Sequence, residues 1–408
     1  MQKLAAAFRS HAAPLAKIMT EETGKPIKSS FDEIEKSAKT YDYFSENLET
    51  LLSAESIVSN YSKTVVVKDS VGPILAIMPW NFPLWQLTRF AAPSVGIGNP
   101  ILLKHAEITA GTAKLITDIF NEVEPGLILN MCIDHDQATK LIADPRVRGL
   151  TLTGSTTTGR AVAETAGKYL KKSVLELGGS DAYVVFKDAD IKNAAFICAE
   201  ARMVNNGQSC IAGKRFIVEK SIFAEFSDQF NLELKKYVFD DPKKIETRVG
   251  TLAAKKFQQK LLEQCKSLEH TGSAKKIFDL ADSLNYDFAS ADAFFPTRTY
   301  HVEKTEPKFF NEEFFEPVAL LTTFETESEA LSLANRSVFG LGGAVFSKDI
   351  VRAESFARKM EAGFIAINDF VKSAPNLPFG GVKDSGFGRE LGLYGFNEFC
   401  NIKTLGFH

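Results

Sequence analysis

The stretch that decides the fold is ILAIMPWNFPLWQLTRFAAPSVGIGNPILLK, residues 74–104. Its two ends, ILAIMP (74–79) and ILLK (101–104), are short apolar runs that predict buried strands. Between them, LWQLTRFAAPSVGIG (84–98) shows a helical pattern and ends in glycine. A strand, a helix and a strand in this order form a crossover connection, so the stretch predicts an α/β fold with a parallel sheet.

The same alternation continues along the chain. Helices are expected over residues 1–55 and 108–123, and further strands at 65–73, 126–132, 149–155, 174–179, 182–186, 214–219, 318–324, 342–347 and 364–369. Residues 265–297 fit neither pattern and predict an irregular connection. A chain of 408 residues exceeds one ordinary core. We therefore expect two α/β domains with a boundary near Gly178–Gly179.

Composition narrows the function classes. Charged residues make up 24% of the chain and the net charge is −3, which gives no support for binding to nucleic acid or to a membrane surface. No apolar run reaches the ~20 residues that span a bilayer. The five cysteines are scattered, with no pairing framework and no zinc motif, and this usage favours a reducing cytoplasm. The N-terminus predicts an amphipathic helix, with a transit peptide as the alternative.

One cysteine lies in an unusual context. NNGQSC (205–210) places Cys210 behind small and polar residues, whereas structural cysteines usually have apolar neighbours. A reactive thiol needs access and an environment that favours the thiolate. Cys210 is therefore a candidate nucleophile.

Three further candidates lie where predicted strands end. Asn81 in PWNFP can cap a helix or donate a hydrogen bond to an oxyanion. TGSTTTG (153–159) can let the backbone approach an anion or supply a simple serine or threonine cap. Glu176 closes an apolar strand in LELGGSD and can be a general base or a solvated charge. PFGGVKDSGFGRELG (378–392) reads by itself as a surface loop.

Taken in order, these motifs are more specific than any one of them. PWNFP, KHAE, TGSTTTG, LELGG, GQSC, EEFFEPV and PFGGVKDSG together resemble the aldehyde dehydrogenase superfamily, from about residue 20 to the C-terminus. Within it, the chain is most similar to bacterial NAD-preferring succinate-semialdehyde dehydrogenases. The resemblance implies a Rossmann-type NAD-binding domain (1–55 and 71–178), an α/β catalytic domain (179–395) and a small oligomerisation ribbon (56–70 and 396–408). It also implies a homodimer or homotetramer.

The resemblance assigns the catalytic roles. Cys210 would be the nucleophile, Asn81 the oxyanion donor and Glu176 the general base. The thiolate would add to the aldehyde carbon, hydride would leave for the nicotinamide, and water activated by Glu176 would hydrolyse the thioester. The implied substrate is a small aldehyde, succinate semialdehyde first.

The cofactor residues also follow from the resemblance. They are Ile77, Pro79, Trp80, Lys104, Glu107, Gly154, Ser155, Gly178, Glu313 and Phe315. Lys104 and Glu107 match the pair that holds the adenosine ribose. A carboxylate there accepts hydrogen bonds from a free 2′-hydroxyl and repels a 2′-phosphate, so NAD is expected over NADP.

For the substrate, Arg89 matches an arginine that anchors a carboxylate, and Ser373 would add a hydrogen bond. The alternative for Arg89 is a side chain that reaches solvent. Val204 stands where many succinate-semialdehyde dehydrogenases have a second arginine. Glu316 replaces a usual glycine, so we expect backbone strain there if that position needs a positive φ. The chain starts roughly fifty residues later than the family pattern.

Three alternatives stay open from the sequence. A cysteine hydrolase would need a histidine beside Cys210, and none of the six histidines lies in a matching motif. A nucleotide-binding relative with impaired catalysis would fit the late start and Glu316. A dehydrogenase that transfers the acyl group to coenzyme A is disfavoured by Glu176, which suits water as the acceptor.

Overall fold

The computed structural model describes residues 1–270, 272–283, 293–303 and 310–408. Its helices are α1 Gln2–Ser10, α2 Ala12–Thr23, α3 Ile27–Leu52, α4 Trp85–Ile97, α5 Ala110–Val123, α6 His135–Ala143, α7 Thr156–Lys168, α8 Ile191–Met203, α9 Phe223–Leu234, α10 Lys255–His270, α11 Glu327–Asn335, α12 Ile350–Ala357 and α13 Gly392–Glu398. Its strands are β1 Glu55–Ser56, β2 Lys63–Ser70, β3 Ile74–Met78, β4 Ile101–His105, β5 Ile128–Asn130, β6 Gly149–Thr153, β7 Lys172–Glu176, β8 Asp181–Val185, β9 Gly213–Glu219, β10 Ala274–Asp279, β11 Arg298–Val302, β12 Val318–Phe324, β13 Phe339–Gly340, β14 Gly342–Phe346, β15 Phe364–Ile367, β16 Val382–Lys383, β17 Gly386–Phe387 and β18 Cys400–Phe407.

The first large sheet is built on the opening stretch. Its order is β17-β7-β6-β3-β4-β5, with every pair parallel except β17 against β7. The predicted strand–helix–strand unit is therefore confirmed as β3-α4-β4. Residues of β3 and β4 are buried because helices cover the sheet, which explains their continuous apolar runs.

The second large sheet has the order β10-β11-β12-β9-β8-β14-β15. Only the edge pair β10-β11 is antiparallel. Two parallel sheets confirm the predicted α/β class. The division into domains at particular residues stays a prediction, and one short strand of the 179–395 segment, β17, lies in the first sheet.

The N-terminal helices pack on the first sheet. The predicted helix over the first residues divides into α1 and α2 at His11. Gly24 ends α2 with φ of 71°, a conformation that favours glycine, and Pro26 precedes α3. The ring of Phe8 stacks on Tyr41 of α3, so α1 and α3 share one core.

A third sheet pairs distant parts of the chain. Strand β18 runs antiparallel to β2 over its whole length, and β1 flanks β2. Strands β2 and β18 lie in the two segments expected to form the ribbon, and the association of that ribbon with a second copy stays a prediction.

The prediction of an irregular connection over 265–297 is wrong for its first part. Helix α10 continues to His270, and Ala274–Asp279 forms β10. The alternation in this segment was missed because β10 is an edge strand with exposed lysines, which dilute its apolar pattern. Residues 284–292 lie outside the described ranges.

Candidate active site

The carboxyl ends of the parallel strands form one edge of the first sheet. Asn81 follows β3, Lys104 lies in β4, Ser155 follows β6 and Glu176 ends β7. Ligands of parallel α/β sheets bind at this edge. The strand pattern in the sequence therefore already places these predicted residues on one side of the molecule.

Cys210 lies in a constrained loop between α8 and β9. Three successive residues have left-handed backbone, namely Asn205 (φ 55°), Asn206 (φ 58°) and Gly207 (φ 79°). Asparagine tolerates this region better than most residues, and glycine adopts it freely. A Cβ at Gly207 would lie 2.8 Å from the backbone nitrogen of Pro317, so glycine is required for space as well.

Buried polar side chains hold this loop. Asn206 Nδ2 donates to the carbonyl of Thr251 at 2.9 Å. Arg202 Nη2 donates to the Gly207 carbonyl at 2.5 Å. Lys214 Nζ donates to the Cys210 carbonyl at 2.7 Å. Arg202 and Lys214 are both fully buried, so two cations in the protein interior hold the loop in place.

Asn81 is bonded directly to this loop. Its side-chain Nδ2 donates to the backbone carbonyl of Gln208 at 3.1 Å. The backbone carbonyl of Asn81 accepts from Asn205 Nδ2 at 2.8 Å. The alternative of a helix cap is wrong, because α4 has no side-chain cap and begins at Trp85. A primary amide carries two hydrogens, so one N–H of Asn81 is left for a ligand.

A buried ion pair supports Asn81 from the other side. Lys25 and Glu33 are paired and almost fully buried. Lys25 Nζ also donates to the backbone carbonyl of Asn81 at 3.2 Å. Glu33 Oε1 accepts from the backbone nitrogens of Leu84 and Trp85, each at 2.9 Å. The pair therefore fixes the start of α4 and the turn that carries Asn81.

Replacing Lys25 with methionine should lower the free energy of unfolding by about 3–5 kcal/mol, because Glu33 would be left buried without a counter-charge. Chemical denaturation measures this change. The matched control is Lys28→Met, which removes an exposed pair with Asp32 and should change stability by at most about 1 kcal/mol. Equal effects of the two substitutions would contradict the role of the buried pair.

Cys210 lies between two cavities. The first, which we call the substrate-side cavity, measures about 250 Å³ and is lined by Ser29, Asp32, Glu33, Lys36, Phe82, Trp85, Gln86, Arg89, Val204, Asn205, Ser209, Cys210, Ile211, Phe370, Val371, Lys372 and Ser373. The second, the cofactor-side cavity, measures about 190 Å³ and is lined by Pro79, Trp80, Asn81, Gln86, Thr153, Gly154, Ser155, Leu177, Gly178, Cys210, Phe257, Lys260, Glu313, Phe315 and Glu316. Most of the predicted site residues thus line one of two spaces that share the thiol.

The thiol is poorly ionised in this conformation. Burial raises the pKa of Cys210 to about 12, and the negative charge of Glu176 adds to the shift, while Arg89 and Lys214 oppose it. Nucleophilic attack therefore requires that the thiol first lose its proton.

Glu176 is the second titratable group of the site. Its carboxylate is 2% exposed, and neither oxygen has a hydrogen-bond partner within the described residues. Burial raises the pKa of Glu176 well above its usual value, and the nearby Glu390 raises it further. The alternative of a strand end facing water is wrong. Glu176 lines neither of the two cavities that Cys210 lines, but a buried carboxylate without a hydrogen-bond partner can accept a proton from a water molecule that reaches it.

Arg89 is also buried, so the alternative of a solvated arginine is wrong. It is 2% exposed and pairs with Glu390, with 2.6 Å between Nε and Oε2. Its guanidinium lies 4.4 Å from the centroid of the Phe379 ring. The interpretation of residues 378–392 as a surface loop is wrong for the same reason, because Phe379 and Glu390 are buried against α4.

The cofactor-side cavity is tightly built around Gly178. A Cβ at this position would lie 2.5 Å from Glu313 Oε2, so only glycine leaves room. Glu313 Oε1 accepts from the Gly179 nitrogen at 3.0 Å and lies 3.5 Å from Lys214 Nζ. The ring centroids of Trp80 and Phe315 are 5.9 Å apart, and the two rings meet edge to face. The cavity thus offers aromatic walls, a carboxylate and bare backbone.

The expectation of backbone strain at Glu316 is wrong, since its φ is not positive. Its carboxylate is buried, which raises the pKa of Glu316 to about 7. The side chain lines the cofactor-side cavity together with Lys260.

The remaining predicted cofactor residues are located on β3 and after β4. Ile77 lies on β3 beside Lys104 of β4. Glu107 is exposed and lines a third cavity with His105, Asn130 and Asp134. Lys104 is 7% exposed and lines none of the three cavities.

Within the described residues, every helix is too short or too polar to cross a bilayer. In those same ranges, no group of three or more histidine, cysteine, aspartate or glutamate side chains is arranged to hold a metal ion.

Comparison with known proteins decides the family. Residues 1–405 match the profile of the aldehyde dehydrogenase family. The chain belongs to the aldehyde dehydrogenase family. The resemblance inferred from the motifs is therefore confirmed over nearly the whole chain. Aldehyde dehydrogenases oxidise aldehydes to acids with NAD(P).

Several relatives carry one enzyme name. The chain is 37% identical over 407 residues to the succinate semialdehyde dehydrogenase [NAD(P)+] Sad of Escherichia coli, covering 99% of this aldehyde dehydrogenase and 87% of the relative. It is 38% identical over 392 residues to a probable succinate-semialdehyde dehydrogenase [NADP(+)] of Synechocystis. The match covers 96% of this chain and 85% of the relative. The crystal structure of succinic semialdehyde dehydrogenase from Streptococcus pyogenes with NADP+ superposes with a TM-score of 0.94 at 34% identity. The match covers 99% of this chain and 88% of that chain.

Sequence reasoning missed several residues of this aldehyde dehydrogenase site. Lys36, Trp85 and Gln86 line the substrate-side cavity, and Lys25 with Glu33 supports Asn81. Trp85 and Gln86 could have been found from their place in the first turn of α4, directly after the PWNFP motif. The residues of α3 could not, because no local pattern places that helix against this cavity.

Proposed function

We propose that this aldehyde dehydrogenase oxidises succinate semialdehyde to succinate, with Cys210 as the nucleophile. The observation that carries the proposal is the position of Cys210 between two cavities, one of which is lined by the cations Lys36 and Arg89. Asp32 and Glu33 line the same cavity but pair with Lys28 and Lys25, so its cations can attract an aldehyde that carries a carboxylate. The names of the relatives support the same substrate.

The chemistry begins at the sulfur. Cys210 would lose its proton to water in the cavity, and its thiolate would add to the aldehyde carbon, which leaves a negative oxygen. The free N–H of Asn81 and the backbone N–H of Cys210 would donate to that oxygen, and losing one such donor typically costs ~3 kcal/mol. The Cys210 N–H has no backbone acceptor among the described residues, which leaves it available.

The thioester is then hydrolysed. The residues of the cofactor-side cavity beside Cys210 would hold a nicotinamide cofactor, which would supply the acceptor for the hydride that leaves as the carbon–oxygen double bond re-forms. Glu176 would take a proton from water, and the resulting hydroxide adds to the thioester and releases the acid and the Cys210 thiolate. The overall balance is aldehyde, oxidised cofactor and water to acid, reduced cofactor and a proton.

The cofactor residues form a consistent set for this role. The bare backbone at Gly154 and Gly178 and the start of α7 at Ser155 suit a pyrophosphate. Ser155 Oγ already accepts from the Thr158 nitrogen at 3.2 Å as a helix cap, so its contact with phosphate would come through the backbone or the same hydroxyl. The wider proposed set is Ile77, Pro79, Trp80, Lys104, Glu107, Glu313 and Phe315.

We further propose NAD as the preferred cofactor, with NADP as the alternative. Glu107 is the reason, because its carboxylate would repel a 2′-phosphate. Glu107→Ser should therefore raise kcat/KM with NADP relative to NAD by about tenfold, since a like-charge contact is removed. Steady-state assays with both cofactors measure the ratio, and Glu124→Ser, another exposed glutamate, is the control. A wild-type protein that uses NADP as well as NAD, with no change in the variant, would contradict this assignment.

Self-association and location are further parts of the proposal. Ile402, Leu405 and Phe407 on β18 are exposed apolar side chains, which favours pairing with a second copy in a homodimer or homotetramer. All five cysteines are free thiols, which favours the reducing cytoplasm.

One assay tests the function. Purified protein is mixed with succinate semialdehyde and NAD, and the absorbance of the reduced nicotinamide is followed. We expect higher kcat/KM for succinate semialdehyde than for butanal, which has the same carbon chain without the carboxylate. Equal or better use of butanal would overturn succinate semialdehyde as the substrate, and no reduction with any aldehyde would overturn the catalytic proposal.

A further inference from the structure

The substrate-side cavity contains a cation that already has a buried acidic partner. Arg89 is held by the buried pair with Glu390 and by the face of Phe379. Rotating its guanidinium toward a substrate would leave Glu390 buried without a partner, which is costly. The ion pair joins only Nε of Arg89 to Glu390, and Nη2 has no hydrogen-bond partner within the described residues, so Arg89 shares its charge with Glu390 but keeps a free donor.

Lys36 is in the opposite situation. It is half-buried on α3, and Nζ donates to Ser373 Oγ at 3.0 Å. Nζ also lies 4.1 Å from the centroid of the Trp85 ring. Within the described residues, no carboxylate lies within ion-pair distance of Lys36, and Asp32, one turn earlier in the same cavity, is paired with Lys28.

The two neighbours of Lys36 are themselves connected. Trp85 Nε1 donates to Ser373 Oγ at 3.2 Å, so the serine oxygen receives two donors. With both donors directed at it, the serine can turn its own O–H toward a further acceptor. Lys36 has two ammonium hydrogens beyond the one given to Ser373. The cluster is therefore rich in donors and poor in acceptors, which is the pattern of an anion site.

The charge state of Lys36 agrees with this. Burial and the positive charge of Arg89 lower the pKa of Lys36 to about 8, and Glu33 opposes the shift. The ammonium form still predominates at neutral pH.

We propose that Lys36, with Ser373, binds the carboxylate of the substrate and so makes the enzyme selective for aldehydes with a second, acidic end. This inference rests on the proposed function and adds to Arg89, whose charge is shared with Glu390, a carboxylate anchor on α3. Val204, which lines the same cavity, is neutral, so Lys36 supplies the cation that the loop beside Cys210 does not.

A purely structural role for Lys36 is the competing explanation. Its contact with the Trp85 ring could position Ser373 and nothing more. That role would change kcat/KM for acidic and neutral aldehydes alike. A side chain that binds the substrate carboxylate changes KM for the acidic aldehyde.

The test measures kcat and KM for succinate semialdehyde and for butanal. Lys36→Met keeps an apolar chain over Trp85 without the charge, and Lys36→Gln is a second neutral variant should the first not fold. We expect the kcat/KM ratio of succinate semialdehyde to butanal to fall by about tenfold or more in both, mainly through KM, because a charge-assisted hydrogen bond is lost. Lys36→Arg should restore most of the ratio. Lys39→Met, an exposed lysine on the same helix, is the matched control.

The outcomes distinguish a failure of the role of Lys36 from a failure of the proposed function. A wild-type preference for succinate semialdehyde that persists in Lys36→Met or Lys36→Gln would overturn the role of Lys36 and leave the function intact. An equal loss of kcat/KM for both aldehydes would also overturn it and would indicate the structural role. A wild-type protein without preference for the acidic aldehyde would overturn the function and the inference together.

Discussion

Replacing Cys210 with alanine should abolish aldehyde oxidation while the protein still folds and binds NAD. Without the sulfur there is no covalent adduct from which hydride can leave, and we expect kcat to fall by at least about 10⁴-fold. Reduced nicotinamide, followed by absorbance, measures the loss. Titration of NAD by calorimetry checks that the cofactor-side cavity is intact.

The matched control is Cys132→Ala. Cys132 is an exposed free thiol, and its removal should leave kcat within a factor of about two, as for most surface substitutions. Activity that survives in Cys210→Ala would refute the thiol mechanism. Loss of NAD binding in the same variant would show that the substitution had disturbed the loop between α8 and β9.

Replacing Glu176 with glutamine should stop the reaction after the thioester forms. The amide cannot take a proton from water, so we expect steady-state turnover to fall by about 10²–10⁴-fold. Rapid mixing with NAD and succinate semialdehyde should still give up to one equivalent of reduced cofactor per site in a burst.

The pH profile gives a second readout for Glu176. Because burial raises its pKa, the carboxylate form that accepts a proton becomes populated only as pH rises, so wild-type thioester hydrolysis should speed up with pH. The remaining turnover of Glu176→Gln should lack this rise. Glu164→Gln, an exposed glutamate on α7, serves as the control. Full turnover in Glu176→Gln would contradict the role.

The strands that carry the site were predictable from the sequence because each is a short apolar run between helical segments. Those strands also fix the order of Asn81, Ser155 and Glu176 along one sheet edge. The left-handed Asn205–Gly207 turn agrees with the polar, small character of NNGQSC. Local patterns were sufficient here because backbone periodicity alone determines these placements.

The contacts across the chain were not predictable in the same way. Glu390 lies 301 positions after Arg89, and Ser373 lies 337 after Lys36, so no local spacing relates them. Helix α3 was expected, but the side that it turns to the active site depends on how it packs against α4. The sequence therefore left Arg89 as a carboxylate anchor or a side chain that reaches solvent, whereas tertiary packing gives it a buried partner, Glu390.

The most direct test of the account is mass spectrometry of Glu176→Gln after brief mixing with succinate semialdehyde and NAD, followed by acid quenching and digestion. The account predicts a succinyl group on the peptide that contains Cys210, absent when NAD is omitted. A stable acyl group on another residue, or none on the Cys210 peptide despite reduced cofactor, would contradict it.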